Sequence, residues 1–208
     1  LRVEAEAAQV SLLVNGTTAG FYGWLPLYLP ELFPTRVRAT GAGLTYNAGR
    51  ITMSSLAAAI TYASRYADVI NMSLGTSPGT PRQYVADLEA AVAAAGRSGV
   101  TVVTAMGNDG VDISTRPVWP ASFASVYDHV IAVGASTNSD TRAYFSNTGS
   151  PLTIYAPGWA IMSSLPTTGW GFLYGTSMAT PAVAGAAASV LASGTARTPT
   201  RCRADRRR

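Results

Sequence analysis

Val100-Thr101-Val102-Val103-Thr104-Ala105 follows directly on a helical pattern and is apolar almost without a break. A strand with one wet face alternates; a parallel strand covered on both faces reads as this one does. The helical pattern ahead of it opens at Thr80-Pro81-Arg82-Gln83. There Thr80 is placed to cap, Pro81 suits the first helical position, and Gln83 completes a capping box. Val85, Leu88, Val92 and Ala95 recur at helical spacing, and Gly99 stands where the helix should stop. Upstream, Val69-Ile70-Asn71-Met72-Ser73 reads as another strand; downstream, so do Val130-Ile131-Ala132-Val133 and Leu152-Thr153-Ile154-Tyr155. Strand–helix–strand order predicts an α/β parallel sheet with flanking helices. Chemistry in such sheets collects beyond the carboxyl ends of the strands. The Gly- and Ser-rich segments of this chain fall there.

Of the 208 residues, 48% are hydrophobic and 12% charged, which excludes a wholly disordered chain. The net charge of +4 comes from the end of the chain, where six of the fifteen Arg residues lie in the last twelve positions. Residues 1–196 carry nine basic and ten acidic groups and so present no basic face, which speaks against nucleic-acid binding. The Arg-rich stretch 193–208 is expected to be disordered. It holds Cys202, the only cysteine, so no internal disulfide can form. Leu1 stands where a Met would, and Glu4 and Glu6 rule out a signal peptide over residues 1–6; the start reads as truncated.

Gly175-Thr176-Ser177-Met178-Ala179-Thr180-Pro181 is the strongest chemical signal. A serine nucleophile needs a sharply turned backbone, which Gly175 permits, and gains from the free N–H groups of a helix amino end. Ala182 to Leu191 supplies that helix, and its many Ala residues suit close packing inside a core. The string resembles the nucleophile motif of the subtilisin-like serine proteases. Ala67-Asp68-Val69-Ile70-Asn71-Met72-Ser73-Leu74-Gly75 and Ala105-Met106-Gly107-Asn108-Asp109-Gly110 are similar to two more family segments. So are Val118-Trp119-Pro120-Ala121, Val130 to Ala135, Phe145-Ser146-Asn147-Thr148-Gly149 and Tyr155-Ala156-Pro157-Gly158, in family order. The resemblance covers residues 54–192 and implies a partial subtilisin-like peptidase domain. It implies Ser177 as nucleophile and Asn108 as the side-chain donor of the oxyanion hole. It further implies a substrate-binding edge at Ser73, Leu74 and Gly75, with Ala105, Met106 and Gly107 opposite. Met106 replaces a residue usually small in the family, which bears on the shape of the substrate pocket. A peptide or protein substrate, secretion and bound calcium are also implied, although no calcium ligand cluster can be assigned.

The same resemblance exposes a gap. The family's triad runs Asp, His, Ser along the chain, yet no Asp precedes Asp68 and the one His is His129. Asp68 aligns with a structural position. His129 follows Asp128, but neighbours on a strand point to opposite faces, so His129 is not read as the base. In a subtilisin, loss of the serine or the histidine slows turnover by about 2 × 10⁶. The chain alone is therefore expected to be inactive, and the missing family strands should leave an open sheet edge.

Residues 7–30 carry no charge, a length that allows membrane contact, though Asn15, Gly16, Gly20, Gly23 and Pro26 interrupt it. Leu29-Pro30-Glu31-Leu32-Phe33-Pro34-Thr35-Arg36-Val37-Arg38-Ala39-Thr40-Gly41 resembles a loop of the major facilitator superfamily of transporters, over residues 8–51. Residues 1–51 are accordingly expected to be a helical transporter-like fragment. Arg36 and Arg38 would place its end in the cytoplasm, the opposite address to a secreted protease. The chain thus reads as a fusion of two fragments. Transport itself is excluded, because one helix cannot enclose a path. Against the peptidase stand two other classes, a peptide-binding pseudoprotease and a functionless fusion.

Overall fold

The computed structural model describes residues 53–164 and 169–194. The chain divides into two compact units, residues 1–59 and 60–208. Of the first, only the opening turns of helix α1 (Met53–Ala63) are described. Leu56, Ala57 and Ile60 form the buried stripe of that helix. The expected transporter-like segment lies outside the described residues, as does all but the start of the Arg-rich tail.

The second unit is built on a four-stranded parallel sheet in the order β1 (Val69–Met72), β2 (Thr101–Ala105), β3 (Val130–Ser136) and β4 (Leu152–Pro157). In β2 every residue after Thr101 is buried, which is why its sequence shows no alternation. Val103, Val133, Ala135, Ala156 and Ala179 form one core layer; Met106, Ile113, Val118, Ala121 and Ala132 form another. Between β3 and β4 the register slips by one residue at Thr153, whose hydroxyl accepts the Ala132 N–H at 3.1 Å. Among the described residues no strand pairs with the outer edge of β1.

Helix α2 (Ala86–Arg97) packs on β2 and buries Leu88, Ala91, Val92 and Ala95. Its end follows the expectation. Gly99, at φ +79°, takes the left-handed position; its N–H donates to Gly96 O, and that of Val100 donates to Ala95 O. Its beginning does not. A 3₁₀ turn (Arg82–Val85) precedes it, Val85 breaks the helical angles at φ −119° and ψ 18°, and no side chain caps either segment. The Thr80 hydroxyl instead donates back to Ser77 O at 2.7 Å, so the capping box is not formed.

Helix α3 (Thr176–Ala192) crosses all four strands. Only Thr176, Ala179 and Thr180 are buried in it, and most of the helix beyond Pro181 is exposed. The expected tight core packing is therefore confined to its first turns. A hairpin of β5 (Ile161–Ser164) and β6 (Trp170–Leu173) leads into α3.

Candidate active site

Parallel pairing of β1 with β2 brings their carboxyl ends to one edge of the sheet, so Ser73–Gly75 and the loop 106–111 lie side by side. The amino end of α3 arrives at the same edge. Gly175 makes the turn into it at φ +156° and ψ 159°, a conformation essentially reserved for glycine. A Cβ there would also stand 3.2 Å from Asn108 Nδ2, so the absent side chain leaves room for the amide.

Ser177 is the second residue of α3 and half-buried. At that position its N–H has no intrahelical acceptor and carries the positive end of the helix dipole. Its carbonyl is also released from the helix. Pro181, four residues on, has no N–H to give it, and the Ser73 hydroxyl donates to it instead at 2.9 Å. In return the Ser177 hydroxyl donates to Ser73 O at 3.1 Å. Asn71 Nδ2 in turn donates to Ser73 Oγ at 3.1 Å.

Asn108 is exposed, but one half of its amide is fixed. Its Oδ1 accepts the Thr176 N–H at 2.8 Å and the Thr176 hydroxyl at 2.9 Å. Two donors on one atom settle which end of the amide is oxygen, and Nδ2 donates to nothing among the described residues. Thr176, with no exposure, also accepts the Gly107 N–H through Oγ1 at 3.1 Å, so it ties the loop to the helix. A preorganised donor beside a hydroxyl on a helix amino end can stabilise an oxyanion formed at that hydroxyl.

The remaining expected residues fall as follows. Ser73 and Leu74 are half-buried and Gly75 is exposed. Behind this edge Thr76 donates to Trp119 O at 2.8 Å, the Trp119 N–H donates to Thr76 Oγ1 at 3.0 Å, and Gly75 lies against Val118. Gly107 is half-buried, whereas Ala105 is almost wholly enclosed. Met106 has no exposed surface; its side chain packs in the core with Ile113, Val118 and Ala132.

His129 stands away from this edge, at the amino end of β3. Its Nε2 donates to the Val92 carbonyl of α2 at 2.9 Å, and its ring fills the space that Gly96 leaves open. No carboxylate or imidazole touches Ser177 Oγ among the described residues. Sequence reading passed over Asn147, which is fully buried and binds the loop 106–111 through four hydrogen bonds of its side chain. For calcium, no three His, Cys, Asp or Glu side chains gather among the described residues, so these do not fit a carboxylate-rich cage.

A serine on a glycine-turned helix amino end, close to an anchored amide donor, is an arrangement in keeping with a serine hydrolase. The chain belongs to the subtilase family, whose model matches residues 35–204. The match thus begins inside the stretch that resembles a transporter loop and takes residues 35–51 of it into the subtilase. Subtilisin DY of Bacillus licheniformis is 41% identical over 146 residues, covering 70% of this chain and 50% of that protein. Subtilisin E of Bacillus subtilis is 48% identical over 125 residues, covering 60% of this chain and 30% of that protein. A cold-adapted subtilisin-like serine proteinase superposes with a TM-score of 0.60 at 37% identity, covering 71% of this chain and 51% of that one. The maturation protease PagA superposes with a TM-score of 0.58 at 34% identity, covering 67% and 49%. The chain spans about half the length of these relatives, or less.

Proposed function

We propose that the chain carries the nucleophile and oxyanion half of a subtilase endopeptidase site and is nearly inactive by itself. Ser177 attacks the scissile carbonyl, while Asn108 Nδ2 and the Ser177 N–H stabilise the resulting oxyanion. Residues 73–75 and the Gly107 main chain flank the bound peptide, and an extracellular address accompanies this reading. The observation that carries it is the anchoring of Asn108 Oδ1 on Thr176, which leaves the amide donor free beside the Ser177 turn. The inactivity follows from the Ser177 hydroxyl, whose partner is the Ser73 carbonyl. A peptide carbonyl is far too weak a base to take the proton that attack releases. That same observation favours the second reading, a peptide-binding protein without turnover.

The test uses a fluorophosphonate probe read by peptide mapping, together with peptide hydrolysis. Slow phosphonylation of Ser177, weakened in Asn108→Ala, is expected, with hydrolysis no faster than in Ser177→Ala. In a subtilisin, removing the oxyanion amide slows turnover by about 10²–10³. No adduct at Ser177 leaves the peptide-binding reading. Clear turnover abolished by His129→Ala would mean that the base has been misplaced.

A further inference from the structure

We propose that Asn147 is the positioning residue of the oxyanion segment, a role that rests on the reading of Asn108 as oxyanion donor. Its side-chain amide has two acceptor and two donor capacities, and all four are spent on one loop. Oδ1 accepts the Asp109 and Val111 N–H groups, each at 3.0 Å. Nδ2 donates to Met106 O at 2.9 Å and to Asp109 Oδ2 at 3.3 Å. The Asn147 N–H adds a bond to Gly107 O at 3.1 Å. Residues 106, 107, 109 and 111 are thus held by Asn147, and Gly110 donates to the neighbouring Phe145 O at 2.8 Å. Asn108 alone in the loop takes no bond from this segment; it is presented at the apex and meets Thr176 instead.

Two further features fit this role. Gly107 sits at φ +97°, and a Cβ on it would overlap Asn147 Nδ2, so the loop closes around the amide only with glycine there. Asn147 is itself anchored to the sheet. The preceding Ser146 accepts the Ala135 N–H of β3 at 3.0 Å, and Arg142 donates to Ser146 O at 2.7 Å. The position of β3 is passed through Ser146 and Asn147 to the loop, and through the loop to Asn108. A chain of paired hydrogen bonds centred on two fully buried side chains, Ser146 and Asn147, is a stiff one.

The test is nitrogen–proton NMR on the whole chain, reading the Asn108 side-chain amide and the exchange of the Asp109 and Val111 N–H groups. In Asn147→Ala those two amides should exchange about tenfold faster or more, the equivalent of one lost hydrogen bond each. The Asn108 side-chain signals should move to the positions of a free amide, while Val103 and Val133 keep their protection. Asn108 signals that stay in place while the loop amides open would overturn the proposal and leave Asn147 a merely structural residue. Should Asn147→Ala unfold, seen as loss of protection at Val103 and Val133, Asn147→Asp decides. A carboxylate there faces Met106 O and the Asp109 carboxylate without a proton to give. The Asn108 signals should therefore be displaced at neutral pH and return on acidification, when a protonated acid again has one donor and one acceptor. Unchanged Asn108 signals at neutral pH would sink the idea. Neither readout needs a reaction at Ser177, so this result stands apart from the labelling that tests the peptidase reading.

Discussion

Each edge of the same parallel sheet carries a polar side chain that could serve chemistry, His129 at one and Asn108 at the other, and the fold uses the two in opposite ways. At the amino edge, His129 gives Nε2–H to the Val92 carbonyl, its own carbonyl accepts the Val102 N–H at 2.9 Å, and its ring lies over Gly96. The fold has consumed that residue. At the carboxyl edge, Asn108 spends its oxygen on Thr176, and its nitrogen donates to nothing among the described residues. A group can serve chemistry only with capacity left after the fold is satisfied, and that measure favours the carboxyl edge as the candidate site. In the proposed reading the site is half a site, because the Ser177 hydroxyl has its bond within the fold, to a carbonyl that cannot act as a base.

The comparison is sharpened most by Thr176→Val, which keeps the shape of a fully buried side chain and removes its hydroxyl. Gly107 N–H then loses its acceptor and Asn108 one of its two anchors. An unpaired donor in such a place costs about 1–3 kcal/mol, to be read from the urea midpoint, and Ser177 labelling should fall with it. Unchanged labelling would show that the Asn108 amide needs no anchor.

His129→Ala is the matching change at the other edge. It removes a half-buried ring and one hydrogen bond, for an expected loss of about 1 kcal/mol, with Ser177 labelling unaltered. A slower labelling rate in this variant would break the contrast between the edges.

What the sequence discloses follows the range of the interactions. Strands β2 and β3 are legible because each is covered on both faces and shows as an apolar run, whereas β1 is only half-buried and β4, read from the same kind of run, is largely exposed. The end of α2 is legible because Gly99 acts within its own turn. The start of α2 is misread, because Thr80 has a nearer acceptor in Ser77 than the capping box supposes. The β5–β6 hairpin gives no pattern, since Met162, Trp170 and Phe172 are apolar and exposed, so hydrophobicity does not track burial along it. At the site, Ser177 and Asn108 are legible through their motifs, while Asn147 shows only as a member of the segment Phe145–Gly149, with no role of its own. Its partners Met106, Asp109 and Val111 stand 41, 38 and 36 residues away, beyond the reach of any local rule.

The smallest effect is expected where α2 meets the turn before it. Arg82 donates through Nε to Glu89 Oε2 at 2.8 Å and through its terminal nitrogen to Oε1, which the Tyr127 hydroxyl also reaches at 3.0 Å. These bonds, the one from Arg82 foremost, hold the Glu89 carboxyl below its ordinary value of 4.5. A carboxyl depressed in the folded state adds stability above its unfolded value, and that share is lost as pH falls through the folded one. The share is small, because Arg82 is more than half exposed and water screens the pair. Glu89→Gln should therefore lie slightly below the parent chain in urea midpoint at pH 7, with the gap closing as the pH drops below about 4. The Tyr127 phenol, raised first by burial and then by its bond to Glu89, stays protonated across this range and adds no slope of its own. A gap that stays constant down to pH 3 would assign the difference to the lost carboxylate shape rather than its charge, and the turn would be held to α2 by packing alone.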